Sequence, residues 1–495
     1  MTDSGPIKLV DTTLRDGNQS LWGATGLTTG MMLQIAPSMN RAGFAAIDFT
    51  TSTHMAVAAR YQKENPWERI RLMSQAMSDT PLSFLTTGMR FISWEVANPD
   101  LMAFAFGLLV NAGIRRFAIM DPMNDTAAMT RMAGLAAKAG VGEIFAAITY
   151  TVSPIHDDAH FAGKAKELAR CKSFTGLYLK DPGGLLTPER ARTIIPALKA
   201  QAGKLPLELH SHATIGLAQF SYLEAAALGA GILHVAARPV ANGTSQPPAA
   251  QTVANLRDLG HTVDIDDSAI AEMDAYFASL AAAEGLATGQ PQEFDRSYFR
   301  HQMPGGMIGT MKRQLSETKR LHLFPQVLEE TERVRAELGY PIMVTPLSQV
   351  VGTQALMNVV SGKRYETVPD EVMNYVLGRF GTPTMPIDGA VEDRIRSSPR
   401  AKVLAEQKTM PELSELRAKI GRTLPDEEFL LRATMPAEQV DAMLAAGPAK
   451  RTYAPETKVI KMLVSELTKR KDLNSIAIEK AGVKIALSRR AGGRS

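Results

Sequence analysis

Eight short runs rich in apolar and β-branched residues recur along the first half of the chain, at steps of 26 to 38 residues. The runs are IKLVDTT (from Ile7), AAIDFTT (Ala45), PLSFLTT (Pro81), RRFAIMD (Arg115), EIFAAITY (Glu143), GLYLKD (Gly176), PLELHSH (Pro206) and ILHVAARP (Ile232). Segments of helical pattern separate them, such as PDLMAFAFGLLVNAG, which ends in glycine as helices commonly do. Eight alternating β and α units over about 240 residues predict a TIM barrel, an α/β fold in which eight parallel strands close into a cylinder.

The sequence pattern changes after residue 288. From Gly289 onward the sequence favours helices interrupted by glycine and proline, among them PGGMIGTMKRQLSE, PQVLEETERVRAELG, TPLSQVVGTQALMNVV and PDEVMNYVLGRFG. At 495 residues the chain is too long for one ordinary hydrophobic core. We therefore expect three parts: a barrel over residues 1–288, a mainly helical domain over 289–448 and a C-terminal tail over 449–495.

The charge of the chain is unevenly distributed. The formal net charge is +4, but residues 450–495 contain twelve lysines and arginines against four acidic residues, so the preceding 449 residues carry a net charge of −4. The body of the protein has no basic stripe that would support nucleic-acid binding. We expect the basic tail to become ordered on a partner protein, towards which complementary charge would attract it.

Composition and cysteine content predict a cytoplasmic protein. Apolar residues make up 45% and charged residues 21% of the chain, as is usual for globular domains. No apolar run reaches the ~20 residues that a membrane-spanning helix needs, and the N-terminal MTDSGP lacks the features of a signal peptide. The single cysteine, Cys171, excludes an internal disulfide and fits a reducing compartment.

Polar residues gather near the C-terminal ends of the predicted strands, where TIM barrels place their active sites. These residues are Asp16, Thr50, Arg90, Asp121, Tyr150, Lys180, His210 and His212. The segment DTTLRDGNQ, at the end of the first run, is the most polar of these strand ends. It would suit either a solvated turn or the floor of a site. In a barrel it is the first loop at the mouth, so we predict that its charged side chains face the active site.

The tripeptide HSH at residues 210–212 ends the seventh run. Because side chains alternate between the two faces of a strand, both imidazoles point to the same side, towards the barrel axis. Two histidines on one face bind a divalent metal when oxygen ligands complete the set, and Asp16 opens on the same mouth. The alternative is one solvated histidine and one histidine packed in the core.

Lys180 lies at the C-terminal end of the sixth run, in LYLKDPGGLLTP. A lysine at a barrel mouth is commonly a solvated cation or a clamp for an anionic substrate. A buried lysine can instead have a lowered pKa and react as a neutral amine. With CO₂ such an amine forms a carbamate, which resembles a carboxylate as a metal ligand. Spacing alone does not decide between these possibilities.

Six segments together resemble the carboxyltransferase domain of biotin-dependent enzymes that act on oxo acids. This family includes pyruvate carboxylase, the α subunit of oxaloacetate decarboxylase, and the metal-bearing subunit of transcarboxylase. The segments are DTTLRDGNQSL, KDPGGLLTP, LHSHAT, GTSQPP, HQMPGGM and VTPLSQVVGTQAL, in the family's order, and the likeness spans roughly residues 7 to 440. LRDGxQ and HxH alone are shared with related lyases and synthases. The resemblance implies a TIM barrel followed by a helical funnel.

The resemblance also implies a metal site. Asp16, His210 and His212, together with Lys180 in carbamylated form, would bind a divalent metal. Zn²⁺ is the expected ion, with Mn²⁺ and Co²⁺ as alternatives. A metal that acts as a Lewis acid would stabilise the enolate through which CO₂ passes between carboxybiotin and a 2-oxo acid such as pyruvate or oxaloacetate.

Four further residues acquire roles by the same resemblance. Arg90, in TTGMRFIS, would hold the substrate carboxylate, while Arg15 and Gln19 would line the substrate pocket. Thr345, in MVTPLSQ, would be the catalytic residue that carries a proton between the substrate carbon and the biotin nitrogen. The alternatives are a surface location for Arg90, and for Thr345 a role as the cap of a helix that opens at Pro346.

Three positions depart from the family pattern. Asn18 stands where a histidine is usual, Gly26 where an arginine is usual, and His234 where an aspartate is frequent. We expect these changes to lie near the mouth and to affect the choice of substrate. The chain also lacks a Met-Lys-Met biotinylation segment. We therefore expect biotin to arrive on a separate biotin carboxyl carrier protein, with a biotin carboxylase subunit as a further partner and with self-association into a homo-oligomer.

The sequence thus predicts a metal-dependent carboxyltransferase component of a multi-subunit biotin-dependent enzyme. One alternative is a biotin-independent lyase or synthase of the same barrel superfamily. Lys180, Thr345 and the HQMPGGM segment argue against it, because that class needs neither a fourth ligand of this type nor the funnel. A non-enzymatic scaffold within a carboxylase complex is a third possibility, which an intact metal-ligand set disfavours.

Overall fold

The eight apolar runs form eight parallel strands that close into a barrel in sequence order. A computed structural model describes residues 5–93, 95–406, 410–454, 465, 469, 475–480 and 483–488. The strands are β1 (Lys8–Asp11), β2 (Ala46–Thr51), β3 (Leu82–Leu85), β4 (Arg116–Met120), β5 (Glu143–Thr149), β6 (Gly176–Asp181), β7 (Leu207–Ser211) and β8 (Ile232–Val235). Each strand lies within the run that predicted it, so the predicted TIM barrel is confirmed.

Helices alternate with the strands, and several begin at a side chain that caps them. Asn98 accepts a hydrogen bond from the backbone N–H of Leu101, and Asp125 accepts one from that of Ala128. The helices are α1 (Asn18–Trp22), α2 (Thr29–Arg41), α3 (Ser52–Val57), α4 (Pro66–Ala76), α5 (Pro99–Ala112), α6 (Thr126–Lys138), α7 (Asp158–Ala169), α8 (Pro188–Ala202), α9 (Ala218–Ala227), α10 (Ala249–Asp258) and α11 (Asp267–Glu284). Thr13–Gly17 and Ala58–Gln62 form short π-helical segments, and Arg238–Val240 forms a 3₁₀ turn.

Strand register decides which side chains meet inside the barrel. Lys180 on β6 lies opposite His210 on β7, and Val10 on β1 lies opposite His234 on β8. Neighbouring strands lie about 4.8 Å apart, so side chains at aligned positions come into contact. The register of β6 and β7 alone therefore places Lys180 beside His210, independently of the loops at the mouth.

The second half of the chain is helical, as the sequence predicts. Its helices are α12 (Tyr298–His301), α13 (Gly305–Glu317), α14 (Phe324–Glu337), α15 (Leu347–Ser361), α16 (Asp370–Val376), α17 (Gly389–Arg396), α18 (Pro399–Ala405), α19 (Leu413–Ile420), α20 (Asp426–Thr434) and α21 (Ala437–Ala446), with a 3₁₀ turn at Leu321–Leu323. Many of their buried apolar side chains share one core, which also takes in Met123 from the loop after β4. This shared core joins the helical part to the barrel mouth.

Three hydrogen bonds reinforce this junction. Arg335 on α14 donates to the carbonyl oxygen of Val152 over 2.8 Å and to Oγ1 of Thr151 over 2.9 Å, in the loop after β5. Gln302, in the HQMPGGM segment, accepts from the same threonine hydroxyl over 2.8 Å. The helices are thereby held against the C-terminal end of the barrel.

Residues Met1–Arg451 form one compact unit, and Thr452–Ser495 form a second. Within the second unit, β9 (Ser475–Lys480) and β10 (Val483–Ser488) pair in antiparallel fashion. Most of the basic tail, and with it the expected ordering on a partner, lies outside the described residues. The domain limits at residues 288 and 448 stay predictions. Among the residues that the structure describes, no helix is long and apolar enough to cross a membrane.

The pairing of β5 with β6 leads to a testable prediction about the stability of the fold. Gly176 lies opposite Phe145, and a Cβ atom at Gly176 would overlap the buried Phe145 ring. The guanidinium carbon of Arg116 lies 4.0 Å from the centre of the same ring. The Phe145 ring therefore has little room to move away from an added Cβ atom. We expect Gly176→Ala to lower the free energy of unfolding by about 1–3 kcal/mol, the usual effect of overpacking.

Urea unfolding of the two proteins measures this difference. Gly142→Ala is the matched control, because Gly142 precedes β5 and has open space at its Cβ position. That variant should stay within about 0.5 kcal/mol of the unsubstituted protein. Equal stability of both variants would contradict the pairing of Gly176 with Phe145.

Candidate active site

Three ligand atoms converge at the C-terminal mouth of the barrel. Asp16 lies in the π-helical segment after β1, His210 lies on β7, and His212 directly follows that strand. Oδ2 of Asp16 lies 3.0 Å from Nε2 of His210 and 3.3 Å from Nε2 of His212. All three side chains are buried. Within the described ranges this is the one group of at least three such ligand atoms that lie within 4.8 Å of one another.

Lys180 and Gln246 adjoin these three residues. Nζ of Lys180 lies 3.5 Å from Oδ2 of Asp16 and 3.3 Å from Nε2 of His210. Nε2 of Gln246, in the GTSQPP segment, donates to the same Asp16 oxygen over 3.4 Å. Thr12 in turn donates to Oε1 of Gln246 over 2.7 Å. Sequence reasoning drew on the segment that contains Gln246 but did not assign this residue to the site.

Burial and charge set the protonation of the cluster. Burial alone raises the pKa of Asp16, but the positive charges of Arg15 and Lys180 outweigh it and hold that pKa well below its usual range. Burial lowers the pKa of His210 far below its usual range and also lowers the pKa of Lys180. These shifts favour a carboxylate, a neutral imidazole and an amine that loses its proton more readily, which are the forms that bind a cation or react with CO₂.

The donor set fits a divalent metal. Two imidazole nitrogens and a carboxylate oxygen are ligands that zinc and other divalent first-row metals accept. Nδ1 of His212 lies 2.5 Å from the carbonyl oxygen of Thr244. A backbone carbonyl only accepts, so Nδ1 carries a proton, and Nε2 is the ring nitrogen that faces Asp16 and could bind a metal.

A cavity of about 350 Å³ adjoins the cluster, a size that suits a small organic ligand. The barrel contributes lining residues that include Arg15, Asp16, Gln19, Lys180 and His212. The helical part contributes Pro304, Gly305, Met307, Val344, Thr345, Ser348 and Gln349. The structure thus brings three of the four predicted metal ligands, Asp16, Lys180 and His212, into one pocket with Arg15, Gln19 and Thr345, while His210 contacts Asp16 but is not among the described lining residues.

Thr345 reaches this cavity from the segment before α15. The alternative that it caps a helix opening at Pro346 is wrong, since α15 begins at Leu347, Pro346 occupies the capping position, and no side chain makes a capping hydrogen bond. Ser348, one turn further along, also lines the cavity, and its buried hydroxyl oxygen has no hydrogen-bond partner in the described structure. Sequence reasoning missed Ser348, which lies in the same motif as Thr345.

Arg90 is buried but is not among the described residues that line the cavity. Its guanidinium carbon lies 4.7 Å from the centre of the Phe380 ring, and NH2 donates to the carbonyl oxygen of Arg379 over 3.2 Å. The alternative of a surface arginine is therefore wrong. Burial raises the pKa of nearby Asp121 to about 6, although Arg90 acts in the opposite direction.

Arg15 is held by two carboxylates. Nε donates to Oδ2 of Asp48 over 2.8 Å, NH2 contacts the same oxygen, and NH1 lies 3.2 Å from Oδ2 of Asp16. Nε2 of His54 contacts the Arg15 carbonyl oxygen at 3.1 Å. Asp48 is the one charged residue within the apolar run AAIDFTT, a signal that could have identified it from the sequence.

The three departures from the family pattern are not part of the described cavity wall. Asn18 donates to the Ala24 carbonyl oxygen over 3.4 Å, and a Cβ atom at Gly26 would overlap Trp22 and lie 3.1 Å from Oδ1 of Asn18. Asn18 and Gly26 thus share one turn behind the first loop. His234 lies inside the barrel, with Nδ1 at 3.2 Å from Nδ1 of His210. None of the three is among the described lining residues, and their expected effect on the choice of substrate stays a prediction.

Comparison with known proteins identifies the class. The family of the conserved carboxylase domain matches residues 299–472. A pyruvate carboxylase subunit of Methanocaldococcus jannaschii is 34% identical over 462 residues, which cover 92% of this chain and 80% of that protein. The 2-oxoglutarate carboxylase large subunit of Hydrogenobacter thermophilus is 32% identical over 448 residues, which cover 89% of this chain and 68% of that protein.

A solved structure gives the same fold. The carboxyl transferase domain of Rhizobium etli pyruvate carboxylase, solved with pyruvate and biocytin, superposes with a TM-score of 0.81 at 24% identity. The superposition covers 90% of this chain and 78% of that chain. A TIM barrel followed by helices is therefore the architecture of this chain, as the resemblance implied.

The fold, the buried cluster and these relatives together define a carboxyltransferase of the biotin-dependent enzymes. Within that class, the chain belongs to the pyruvate carboxylase family, in which it is the carboxyltransferase subunit. The family expected from the sequence motifs is thereby confirmed.

Asp11, at the end of β1, generates a prediction about pH and stability. Burial raises its pKa from 3.8 to about 7, although Thr13 donates two hydrogen bonds to the carboxylate. Between about pH 4 and pH 7 the folded state therefore holds a proton that the unfolded state releases, so this group makes the protein less stable as pH rises through that window. We expect Asp11→Asn to remove this contribution, which amounts to at most about 1.4 kcal/mol per pH unit.

Denaturant unfolding at pH 5, 6, 7 and 8 tests this statement. The stability of Asp11→Asn relative to the unsubstituted protein should improve from pH 5 to pH 7 and then level off. Asp258→Asn, at an exposed site at the end of α10, should leave the pH profile unchanged. A constant difference between Asp11→Asn and the unsubstituted protein at all four pH values would show that Asp11 is ionised throughout.

Proposed function

We propose that this subunit moves CO₂ between carboxybiotin, presented by a separate carrier protein, and a 2-oxo acid. The observation that carries this proposal is one cavity lined by Asp16, Lys180 and His212 from the barrel and by Thr345 from the helical part. Charged groups suited to an enolate and a hydroxyl suited to proton transfer thus meet at one place.

Asp16, His210, His212 and Lys180 are the proposed metal ligands, and Zn²⁺ is the expected ion, with Mn²⁺ or Co²⁺ as alternatives. When bound, the metal supplies a Lewis acid for the enolate oxygen of the substrate. The contacts of 3.0–3.5 Å between Asp16 and the three other residues support this assignment. Nζ of Lys180 lies 3.5 Å from Oδ2 of Asp16, a position from which a modified Lys180 could complete the ligand set.

Lys180 would act as a carbamate. Its neutral amine adds to CO₂, a C–N bond forms and one proton is released, which leaves an anionic oxygen donor. Burial lowers the pKa of Lys180 and so favours the neutral amine that this addition requires. The carbamate would replace a cation beside Asp16 by an anion, which suits a site that holds a dication.

Thr345 is the proposed proton carrier. In the transfer step the C–N bond of carboxybiotin breaks, a C–C bond forms to the substrate carbon, and the proton of that carbon moves to the biotin nitrogen. A hydroxyl can accept one proton while it donates another, so it moves the proton without adding a charge to the cavity. Because helix capping does not explain Thr345, its place on the cavity wall supports this role.

Arg15, Gln19 and Arg90 are the proposed substrate-binding residues. Arg15 and Gln19 line the cavity. For Arg90 the proposal rests on its motif, TTGMRFIS, and on its buried guanidinium. A guanidinium matches a carboxylate in geometry and charge, which is what a 2-oxo acid offers.

The cavity favours a short acid. Among the described lining residues, Arg15 is the long cationic side chain that remains once Lys180 is a carbamate, and it is paired with Asp16 and Asp48. A second carboxylate on the acceptor, as in 2-oxoglutarate, would therefore lack a cation of its own on this wall. We accordingly propose pyruvate rather than 2-oxoglutarate as the acceptor.

Relatives named as subunits of carboxylases support further partners. We propose a biotin carboxyl carrier protein and a biotin carboxylase subunit as these partners, and a homo-oligomeric state for this subunit. A transfer assay with a carboxylated biotin carrier and a panel of 2-oxo acids tests the function. Loss of CO₂ from the carrier should require a 2-oxo acid, with pyruvate ahead of 2-oxoglutarate. Cleavage of an acid in the absence of biotin would instead support a lyase.

Elemental analysis should find one divalent metal ion per chain. Replacement of His210 or His212 by alanine should weaken metal binding by at least about ten- to a hundredfold, since loss of a ligand exceeds the usual effect of losing its supporting partner. His156→Ala is the control, because His156 is equally buried but bonds to Ser153 away from the cluster. Full transfer activity without any bound metal would contradict the assignment.

Substitution of Thr345 separates proton transfer from folding. Thr345→Val keeps the shape and removes the hydroxyl, so we expect it and Thr345→Ala to lose roughly 10²–10⁴-fold in transfer rate. Thr345→Ser should retain more of the rate, because the hydroxyl is kept. Metal content and melting temperature serve as controls and should change little. Normal turnover of Thr345→Val would exclude Thr345 as the proton carrier.

A further inference from the structure

The segment that leads into Thr345 is held between two hydrophobic cores. Residues 341–345, here called the linking segment, lie outside any helix, between α14 and α15. Ile342 and Val344 belong to an apolar cluster inside the barrel, whereas Met343 belongs to the core of the helical part. All three side chains are buried. Successive side chains of the linking segment are therefore fixed by different parts of the protein.

The barrel interior has room for Ile342 and Val344. Seven strands contribute the other buried members of this apolar cluster, here called the interior cluster: Val10, Ala46, Leu85, Ala118, Met120, Phe145, Ala147, Tyr178 and Ile232. Three of them are alanines, at positions where a TIM barrel usually holds large branched side chains. Protein interiors are close-packed, so the space beside small side chains is taken up by other groups. Here Ile342 and Val344 supply those groups from outside the barrel.

Hydrogen bonds fix both ends of the linking segment. Nε of Arg335 donates to the carbonyl oxygen of Pro341 over 3.0 Å, while the rest of the guanidinium binds the loop after β5. At the other end, the backbone N–H of Ser348 donates to the carbonyl oxygen of Val344 over 3.0 Å. The backbone N–H of Val344 in turn donates to the carbonyl oxygen of Ile342 over 2.8 Å. Because of this last bond, a displacement of Ile342 moves the backbone next to the proposed proton carrier.

The linking segment ends at the wall of the cavity. Val344 and Thr345 line the cavity together with Leu85 on β3 and Met120 on β4. Leu85 and Met120 also belong to the interior cluster, so this cluster forms part of the cavity wall. Ile342 lies two residues earlier and is not among the described lining residues. Its side chain can therefore influence a reaction in the cavity only through the residues that it holds in place.

We propose that Ile342 is a positioning residue for Thr345. Its side chain, packed in the interior cluster, fixes the linking segment and thereby holds the Thr345 hydroxyl at the cavity. The proposal rests on the proposed function, in which Thr345 carries the proton. A proton moves only between atoms within hydrogen-bond reach, and a misplacement of about 1 Å can cost roughly 10²-fold in rate. Packing inside the barrel thus sets the rate of a step that takes place above it.

Methyl NMR of the full chain with ¹³C-labelled threonine methyl groups reports on Thr345 without any activity. The signal that is lost in Thr345→Val identifies the Thr345 methyl resonance. In Ile342→Ala we expect this resonance to shift and its order parameter to fall, because the linking segment loses its anchor in the interior cluster. Ile342→Val removes a single carbon atom, so it keeps the fold and should shift the same resonance by a smaller amount. An unchanged Thr345 resonance in Ile342→Ala would overturn the proposal.

The transfer assay with a carboxylated biotin carrier and pyruvate tests the consequence for the rate. Ile342→Ala should lose about 10–100-fold in kcat with little change in KM, because the lost packing acts on proton transfer and not on substrate binding. Ile342→Val should stay within a few-fold of the unsubstituted protein. The double variant of Ile342→Ala and Thr345→Val should be within about twofold of Thr345→Val alone, since both changes remove the same function. Losses that multiply would show that Ile342 does not act through Thr345 and would refute the proposal.

Ile395→Ala is the matched control, because Ile395 on α17 is 1% exposed against 2% for Ile342 and packs in the core of the helical part. It should lower the melting temperature to a similar degree while the Thr345 resonance and the transfer rate stay unchanged. Equal losses of rate in Ile395→Ala and Ile342→Ala would contradict the proposal, since a general loss of stability would then explain both. If Thr345→Val turns over at the normal rate, the proton-carrier role in the proposed function fails. The methyl resonance still decides whether Ile342 fixes the linking segment.

Discussion

One buried carboxylate oxygen organises the mouth of this barrel. Oδ2 of Asp16 lies within 3.5 Å of polar side-chain atoms of five residues: Arg15, Lys180, His210, His212 and Gln246. A carboxylate removed from water is tolerated only when cations and hydrogen-bond donors replace its hydration. Its partners come from the loop after β1, from β6 and β7, and from the segment after β8. Closure of the barrel brings these four places together, so the fold itself satisfies this group.

The same constraint extends into the barrel interior. TIM barrels usually fill this space with branched apolar side chains, whereas here it holds the pairs of Arg15 with Asp48 and of Arg116 with Glu208. Removal of one member of a buried pair is more destabilising than replacement of both members by apolar groups. The interior pairs are therefore weak contributors to net stability but strong determinants of which side-chain arrangement the interior adopts. That is the property a site with fixed ligand positions needs.

Sequence reasoning succeeded where a local pattern determines the result. The eight strands were predictable because each is a short apolar run, and the shared orientation of His210 and His212 follows from the two-residue period of a strand. Lys180 was predictable as a mouth residue for the same reason. The capping role considered for Thr345 was wrong, because α15 begins one residue later than the Thr-Pro pair suggested.

Contacts between distant segments were the part that local patterns could not supply. Gln246 reaches Asp16 across 230 positions, and Glu208 pairs with Arg116 across 92 positions. Barrel closure and register create both contacts, and neither is evident from the sequence around either residue. The sequence did mark Asp48 as a charge within an apolar run and His234 as a departure from the family. Their hydrogen-bond partners, Arg15 for Asp48 and Glu208 for His234, lie elsewhere in the chain.

The barrel and the helical part line the cavity with different kinds of side chain. The barrel wall supplies ions, and the helical wall supplies the neutral hydroxyls of Thr345 and Ser348. An enolate needs charge that is already in place, because reorientation of dipoles during the reaction would raise the barrier. A proton carrier needs the opposite property, since a fixed charge beside it would bias the proton towards one side. With the roles proposed above, ions on β6 and in the segment after β1 and hydroxyls on the facing helical segment would meet both needs. Because the bonds from Arg335 to the loop after β5 hold the helical part against the barrel, the proposed site depends on the geometry of this junction as well as on the cluster around Asp16.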